Sequence, residues 1–262
     1  MSEERKTVLQ AADISILFGG LCAVGNFSCN IYEGELIGLI GPNGAGKTTT
    51  FNMISGIYKP TKGQLSFWDR NGMVRILNKA SPARLNKLGI ARTFQNIRLF
   101  GNLTVTENVL IALHSSRAVN PLDVLFRTPR FFRDEANMRA RAEQLLSIFH
   151  IENKKDELAK NLPYGEQRKL EIVRALASKP KLLLLDEPAA GMNPQETEEL
   201  MKLIDFIRTQ FKLTILLIEH DMKLVMGICE RIVVLNYGRI IASGTPDEIK
   251  NDPQVIKAYL GG

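Results

Sequence analysis

Short, almost wholly apolar runs alternate along this chain with segments whose apolar residues recur at helical spacing. The runs that predict buried strands are Leu36–Ile40, 182–185, 213–218 and 231–236. Apolar runs of this length suit strands, while several of the intervening segments are long enough for helices. The alternation predicts an α/β fold built in layers.

Strand and turn signals dominate the N-terminal third of the chain. Residues 7–40 predict short strands, with turns at Gly19-Gly20 and Glu33-Gly34. Residues 63–77 predict a hairpin around Asn71-Gly72, a dipeptide favoured in two-residue hairpin turns. Together with the buried runs, these segments predict a strand-rich lobe.

The middle third of the chain is predicted to be helical. Thr104-Val-Thr-Glu107 has the pattern of a capping box ahead of an apolar helix. Residues 131–150 place Phe, Met and Leu among many charges, as an amphipathic helix does. Because strand signals return further on, we predict one 262-residue domain. In it, a helical subdomain of about 96–178 interrupts a strand-rich lobe made of 1–95 and 179–262.

Composition supports a globular chain and limits the kinds of partner. Apolar residues make up 45% of the chain, and no apolar run approaches the roughly 18 residues of a membrane-spanning helix. The net charge of +6 is not gathered into a dense Lys/Arg block with interleaved aromatic residues, so nucleic acid is not expected as a partner. The three cysteines form no CxxC pair, which argues against a zinc site or a disulfide framework.

The strongest chemical signal is a glycine-rich segment, Gly41-Pro-Asn-Gly-Ala-Gly46-Lys47-Thr48, which fits the pattern GxxxxGK[ST]. It follows the strand Leu36–Ile40 and precedes a helix predicted from Lys47 to Ser55. Glycines let successive backbone N–H groups turn towards phosphate oxygens, and the helix N-terminus adds the positive end of its dipole. Lys47 is expected to reach the β- and γ-phosphates of a nucleotide, and the Thr48 hydroxyl to coordinate Mg²⁺.

Two carboxylates follow the apolar residues of Leu182-Leu-Leu-Leu-Asp186-Glu187-Pro188. A strand that ends this way places them at the carboxyl edge of the sheet, where ligands of α/β proteins bind. Asp186 is expected to hold Mg²⁺, commonly through water. Glu187 should point elsewhere because side chains alternate along a strand, which suits it as general base for an attacking water.

Two further residues fit a nucleotide site but also have ordinary explanations. His220 follows the strand 213–218 and can donate to a γ-phosphate or orient water, although a histidine at a strand end is also commonly structural. Gln95 lies where the strand-rich and helical regions join. Its amide can reach a metal or a water molecule, or it is an ordinary loop residue.

A second glycine-containing helix entry and one aromatic residue complete the set. Leu162-Pro-Tyr-Gly-Glu-Gln167 precedes a long helix and is either a second phosphate-binding helix N-terminus or a simple loop into that helix. Phe18, beside Gly19-Gly20, either stacks on a base or fills a turn or core position.

In this order the elements resemble the ATP-binding cassette ATPases, over essentially the whole chain. The resemblance implies a P-loop NTPase core of RecA-like type, with an antiparallel β subdomain and an inserted helical subdomain. It also implies ATP hydrolysis that depends on Mg²⁺. The implied roles are adenine stacking by Phe18; ATP binding by Gly41, Pro42, Asn43, Gly44, Ala45, Gly46, Lys47, Thr48 and Thr49; Mg²⁺ coordination by Thr48, Gln95 and Asp186; and catalysis by Glu187 and His220.

The same resemblance implies an assembly. Two ATPase subunits would form a head-to-tail dimer in which each ATP lies between the phosphate loop of one subunit and the signature loop of the other. The expected partners are therefore a second ATPase subunit, identical or related, and transmembrane permease subunits, with an extracytoplasmic solute-binding protein in the complete complex. The chain itself is expected to be peripheral, at the cytoplasmic face of the inner or plasma membrane. Its signature loop would comprise Pro163, Tyr164, Gly165, Glu166 and Gln167.

Finer details resemble the longer ATP-binding subunit of high-affinity branched-chain amino acid importers, so uptake of such amino acids is the expected function. Two positions depart from the family's usual pattern, Pro163 where Ser is usual and Asn193 where Asp is usual. These departures bear on the strength of one composite ATP site. The details that carry the finer resemblance are Ala189-Ala-Gly-Met-Asn193-Pro, Ile218-Glu-His-Asp-Met-Lys-Leu-Val-Met226, Asn251-Asp-Pro-Gln-Val-Ile-Lys-Ala-Tyr-Leu260-Gly and the stretch after 114.

Three other functions explain less of the sequence. The ATPase of a lipid or lipopolysaccharide exporter shares the single-chain format. Cassette proteins that act on ribosomes or DNA usually fuse two cassettes or insert a long coiled coil, whereas this chain has one phosphate loop and no sustained heptads. A metabolic P-loop kinase explains neither the signature-like loop nor His220.

Overall fold

The structure, a computed structural model, describes residues 5–115 and 128–260, and these form two compact units. One unit contains the described residues up to Arg92 and those from Lys181 onward, and the other is Thr93–Pro180. Part of the stretch that resembles the longer importer subunit, residues 116–127, lies outside the described residues. None of the described helices has the length and apolar character that a membrane crossing requires.

The described strands all belong to the first unit and form two sheets. The smaller sheet is antiparallel throughout, and the larger one is parallel except at one edge pair. In chain order the strands are β1 (Thr7–Phe18), β2 (Leu21–Tyr32), β3 (Leu36–Ile40), β4 (Lys62–Trp68), β5 (Val74–Ile76), β6 (Ile90–Arg92), β7 (Leu182–Asp186), β8 (Thr214–Ile218), β9 (Arg231–Asn236) and β10 (Arg239–Gly244). The smaller sheet has the order β2-β1-β4-β5, and the larger β10-β9-β3-β8-β7-β6.

The helices divide between the two units. Those described are α1 (Lys47–Ile54), α2 (Pro82–Leu88), α3 (Val105–Ser115), α4 (Pro129–Ile148), α5 (Tyr164–Ala177), α6 (Pro194–Phe211), α7 (Met222–Ile228), α8 (Pro246–Asn251) and α9 (Pro253–Leu260). Helices α3 to α5 belong to the second unit, together with two short 3-10 helices. Among the described residues of that unit, β pairing is limited to one isolated bridge between Thr104 and Leu158. The α/β fold class with an antiparallel sheet and a helical insertion is confirmed.

The apolar runs correspond to strands that are buried on both faces. Every residue of β3, β7 and β8 is buried. A parallel strand covered on both faces needs apolar residues at every position, so strict alternation is absent. Asp186, the charged residue at the end of β7, is buried with them and therefore needs a polar partner.

The register of the parallel sheet aligns the ends of three strands. Leu39 of β3 lies opposite Ile218 of β8, and Ile218 lies opposite Asp186 of β7. Because the strands are parallel, the residues that follow them leave the sheet at one edge. The chain therefore brings the phosphate loop, Asp186 with Glu187, and His220 to the same edge.

The strands between residues 7 and 40 are longer than predicted. β1 and β2 have 12 residues each, although the turns at Gly19-Gly20 and Glu33-Gly34 are confirmed. Polar residues that interrupt the apolar pattern do not end the strands. Asp13 and Asn26 instead take φ of 49° and 52°, where the β1–β2 register shifts. β-Bulges of this kind keep a strand paired through an irregular position.

The hairpin predicted over residues 63–77 exists, but its turn is not the two-residue type. Trp68 pairs with Val74, so residues 69–73 form the loop. The Asp69 carboxylate organises this loop, since its Oδ1 accepts hydrogen bonds from the N–H groups of Asn71 (2.9 Å) and Met73 (3.0 Å). A side chain that replaces backbone pairing in this way allows a longer turn.

Candidate nucleotide-binding site

The phosphate loop requires its glycines for conformational reasons. Gly41, Gly44 and Gly46 have φ of 150°, 78° and 98°, which L side chains rarely adopt. A Cβ on Gly41 would also collide with the carbonyl oxygen of Leu235. The predicted helix after the loop is confirmed, and α1 ends at Ile54, one residue before the predicted end.

The N-terminus of α1 is shaped to receive an anion. Gly46 is its N-cap and no side chain caps this end. The first N–H groups of a helix have no partner within it, and the dipole makes this end positive. The loop surface is accessible: Asn43, Gly44 and Thr48 are exposed, Pro42, Gly46, Lys47 and Thr49 are half-buried, and Gly41 and Ala45 are buried.

Lys47 extends across the loop. Its Nζ donates to the carbonyl oxygens of Gly41 (2.7 Å) and Pro42 (3.0 Å). Burial lowers the pKa of Lys47 below its ordinary value, and the nearby Glu187 carboxylate opposes that shift. The arrangement holds an ammonium group beside the loop, where the predicted phosphates need positive charge.

Glu187 lies beyond the strand on which its orientation was predicted. β7 ends at Asp186, and Glu187 has a left-handed φ of 44° while its N–H donates to the carbonyl oxygen of Ile218 (2.9 Å). Alternation along a strand therefore does not apply to Glu187, and the prediction that its side chain points away from Asp186 stays a prediction. A left-handed non-glycine residue is uncommon, and such residues often occur at functional sites.

His220 is beside Glu187, as the aligned strand ends require. Its Nδ1 is 3.7 Å from Glu187 Oε2 and equally far from Glu219 Oε2. These distances are too long for direct hydrogen bonds. The imidazole is 66% exposed, so it is available to a ligand rather than fixed in the core.

Glu219 supports this loop, and sequence analysis did not single it out. Its carboxylate is buried and accepts N–H hydrogen bonds from Ala189 (2.8 Å), His220 (3.0 Å) and Asp221 (3.3 Å). Burial raises the pKa of Glu219, while these hydrogen bonds oppose the rise. One side chain thus joins the loop after β7 to the loop after β8. The available signal was an acidic residue placed directly after an apolar strand.

Arg92 is the second functional candidate that sequence analysis did not identify. Its Nη2 pairs with Asp186 Oδ2 at 2.7 Å, and the two side chains are only 10% and 7% exposed. Its Nη1 donates to Asn52 Oδ1 (2.7 Å) and Ser55 Oγ (2.6 Å). The guanidinium carbon lies 5.0 Å from the centre of the Phe51 ring. Arg92 therefore joins the end of β6 to α1 and to the carboxylate proposed to hold Mg²⁺.

Replacing Arg92 with lysine should lower the free energy of unfolding by about 1–3 kcal/mol. An ammonium group can still pair with Asp186, but it has no second nitrogen to donate to Asn52 and Ser55 at the same time. Urea denaturation of the full chain would measure the change. Arg84→Lys, at an exposed position on α2, is the matched control. Equal urea midpoints of unfolding for the two variants would contradict the role of Arg92 in joining β6 to α1 and Asp186.

Phe18 is at the end of β1 with its ring accessible. The residue is 45% exposed, and its ring meets that of Tyr58 edge to face with centroids 5.3 Å apart. The structure thus places Phe18 at the surface and not in the core. Stacking on adenine stays a prediction.

Gln95 and the signature loop belong to the second unit. Gln95 is exposed, and its role as an Mg²⁺ ligand stays a prediction. Pro163 is the N-cap of α5, where no side chain caps the helix. Like α1, this helix therefore has an uncapped positive end.

The remaining signature-loop side chains make local contacts. Gln167 Nε2 donates to the carbonyl oxygen of Leu162 at 2.8 Å, and both carboxylate oxygens of Glu166 accept from Lys154 Nζ, at 2.8 and 2.7 Å. Tyr164 is exposed and Gly165 is half-buried. These bonds fix the start of α5 and leave the Tyr164 side chain accessible.

Asn193 caps α6 as the family's usual Asp could. Its Oδ1 accepts the N–H groups of Gln195 and Glu196, both at 3.0 Å, and the Glu196 side chain completes a capping box at the start of α6. Asn and Asp cap helices about equally well. The substitution therefore keeps the start of α6 intact.

The oxygen atoms of Thr48 and Asp186 at the sheet edge are suited to coordinate Mg²⁺ when a nucleotide is also bound. Among residues 5–115 and 128–260, no three His, Cys, Asp or Glu side chains form a cluster that could hold a metal by itself. Mg²⁺ keeps several waters and is usually bound by one or two protein oxygens plus substrate phosphates. The Thr48 hydroxyl and the Asp186 carboxylate are donors of that kind.

Comparison with known families gives two matches. The family model described as ABC transporter matches residues 24–190. A second, described as branched-chain amino acid ATP-binding cassette transporter, matches residues 239–262. Together they include the phosphate loop, Asp186 with Glu187 and the predicted signature loop, and neither includes Phe18 or His220.

Similar proteins cover nearly the whole chain. The high-affinity branched-chain amino acid transport ATP-binding protein LivG of Escherichia coli is 46% identical over 97% of this chain and 98% of its own length. The lipopolysaccharide export system ATP-binding protein LptB of Haemophilus influenzae is 33% identical over 97% of this chain and 98% of its own. The crystal structure of an ATP-binding cassette of an ABC transporter in its ADP conformation has a TM-score of 0.83 at 30% identity, covering 98% of this chain and 99% of that one.

Proposed function

The chain belongs to the ATP-binding cassette (ABC) transporter family, and from that premise we propose that it is the ATP-hydrolysing subunit of an importer for branched-chain amino acids. The observation that carries the proposal is the meeting of the phosphate loop, Asp186, Glu187 and His220 at one sheet edge. The solute class is supported by the LivG similarity and by the match of residues 239–262.

Each side chain at this edge has a separate task. The phosphate-loop N–H groups and Lys47 bind the phosphates. Thr48 and Asp186 hold Mg²⁺, which when bound neutralises charge developing on the phosphate oxygens. Glu187 accepts the proton of the attacking water, and His220 beside it contacts the γ-phosphate. The left-handed backbone of Glu187 and the support from Glu219 keep these two residues in place.

The transport cycle requires partners that this chain does not contain. We place it at the cytoplasmic face of the inner or plasma membrane, bound to transmembrane permease subunits that carry the solute delivered by an extracytoplasmic binding protein. A second ATPase subunit completes each ATP site with its signature loop. The surface near 96–106, which includes the half-exposed Phe100, is the proposed permease contact.

Pro163 makes the two composite sites of such a dimer unequal if the second subunit is a related but different chain. Proline has neither a hydroxyl nor a backbone N–H to offer the γ-phosphate held by the partner. We therefore expect most transport-linked hydrolysis at the site that contains Glu187 of this chain. Substituting the catalytic Glu in each subunit separately, in the reconstituted complex, should reduce ATPase and uptake more when Glu187 is the one changed. Equal losses, or a larger loss from the partner's substitution, would exclude the asymmetry.

Co-purification tests the proposed assembly. The tagged full chain, extracted from membranes in mild detergent, should co-purify with permease subunits and a second ATPase subunit. The complex recovered in this way should bind leucine, isoleucine or valine. The second candidate, a lipopolysaccharide exporter, is favoured only by the LptB similarity. Recovery of lipid-export membrane proteins would support that candidate, and recovery of ribosomes would contradict both.

A further inference from the structure

A buried ion pair on α5 contacts the backbone segment that carries Gln95. Arg168 Nη1 and Glu171 Oε2 are 2.7 Å apart, and the two side chains are 0% and 2% exposed. Both residues belong to the same unit as Gln95, so these contacts are internal to that unit. Pairs buried this deeply are uncommon because taking both ions out of water is costly.

The Arg168 guanidinium holds two successive carbonyl groups. Its Nη1 donates to Phe94 O at 2.6 Å, and its Nη2 donates to Gln95 O at 2.8 Å. Nη2 also donates to the hydroxyl of Tyr164, at 3.2 Å, in the signature loop. Only arginine presents donors in a rigid fork of this kind, and lysine cannot reproduce it.

Glu171 holds the same segment through its N–H groups. Its Oε1 accepts from Phe94 N at 3.2 Å and from Arg98 N at 3.3 Å. Burial raises the pKa of Glu171, while Arg168 and these two hydrogen bonds oppose the rise. The segment 94–98 is thus held at both ends by one pair of charges.

Stability alone is a poor explanation for this pair. Arg168 Nε is buried with no hydrogen-bond partner within the described part of the chain, and an unsatisfied buried donor is destabilising. Apolar residues of similar volume often give a protein at least as stable as a buried ion pair does. What apolar residues cannot provide is the set of directed bonds to the backbone of 94–98.

We propose that Arg168 and Glu171 are positioning residues that make Gln95 and the signature loop move as one piece. The inference rests on the proposed function and on the expectation that Gln95 reaches the Mg²⁺ of the ATP bound by this chain, while residues 163–167 contact the ATP bound by its partner. Because the connection is rigid, a contact that ATP makes with Gln95 in only one conformation also changes the position of the signature loop at the other ATP site. A contact present in only one of two conformations is what allows ATP to shift the population between them.

The double variant Arg168→Met/Glu171→Met tests the proposal because it removes both charges together and leaves neither unpaired. We expect it to fold, with a melting temperature close to that of the wild type. Hydrogen exchange at the amides of Phe94 and Arg98 should accelerate at least about 10-fold, since both lose their acceptor. The kcat for ATP should fall about 10-fold or more while KM stays within about threefold, because the phosphate loop is unchanged.

The exposed pair Lys155–Glu143 in the same unit provides the matched control. Its Met/Met variant should leave kcat and the exchange of Phe94 and Arg98 unchanged. A folded Arg168→Met/Glu171→Met variant with kcat within about twofold of wild type, or with unchanged amide exchange, would overturn the proposal.

If the double variant does not fold, Arg168→Lys tests the positioning role instead. Lysine keeps the positive charge opposite Glu171 but cannot donate to the carbonyl oxygens of Phe94 and Gln95 from two nitrogens at once. We expect kcat to fall at least about fivefold with KM within about threefold, and a wild-type kcat would overturn the positioning role. Glu187→Gln is assayed alongside. Activity that survives Glu187→Gln contradicts the proposed function, whereas activity lost in Glu187→Gln but normal in the Arg168 variants contradicts only this inference.

Discussion

Replacing Glu187 with glutamine is expected to reduce ATP turnover by about 100-fold or more, the usual scale for a positioned general base, while ATP still binds. The amide has nearly the same shape as the carboxylate but cannot take a proton from water. It also leaves the phosphate loop and the Arg92–Asp186 pair untouched. The change should therefore appear in kcat and not in the dissociation constant for ATP.

Turnover of the assembled transporter and calorimetric ATP binding by the full chain measure these two quantities. Glu199→Gln is the matched control because Glu199 is exposed on α6. It should turn over ATP at the wild-type rate. Turnover by Glu187→Gln near that of the control would rule out Glu187 as the base.

Replacing Lys47 with alanine is expected to weaken ATP binding by about 10- to 100-fold. This corresponds to the loss of one charge-assisted bond to phosphate, worth about 1.5–3 kcal/mol. The same change removes the bonds from Nζ to the carbonyl oxygens of Gly41 and Pro42, which hold the loop. Both losses are expected to weaken ATP binding.

Calorimetry with Mg²⁺ and ATP checks the Lys47 prediction. Lys62→Ala, at an exposed position of β4, removes the same charge away from the loop and should bind ATP normally. An unchanged affinity in Lys47→Ala would show that Lys47 does not contact phosphate.

Features with local sequence signals could be predicted well. The phosphate loop was recognisable because strand, glycines and helix follow one another within a short stretch. The capping box between Thr104 and Glu107 is likewise local, and both of its hydrogen bonds are present, at 2.7 and 3.2 Å. Apolar runs identified β3, β7 and β8 because burial on both faces requires apolar residues at every position.

Features that depend on distant partners could not be predicted. Arg92 meets Asp186 across 94 positions of sequence, and nothing beside Arg92 indicates that partner. Arg168 and Glu171 are close in sequence, but their reach to Phe94 and Gln95 depends on how the second unit packs. The left-handed backbone of Glu187, which puts it outside β7, could not be predicted because such a residue has no sequence signal when it is not glycine.

Uptake of labelled leucine by intact cells tests the central proposal most directly. Cells that lack this chain should lose high-affinity uptake of leucine, isoleucine and valine. The wild-type chain should restore it, and Glu187→Gln, expressed at the same level, should not. Undiminished uptake without the chain, or full restoration by Glu187→Gln, would contradict the proposal that ATP hydrolysis at this site drives branched-chain amino acid import.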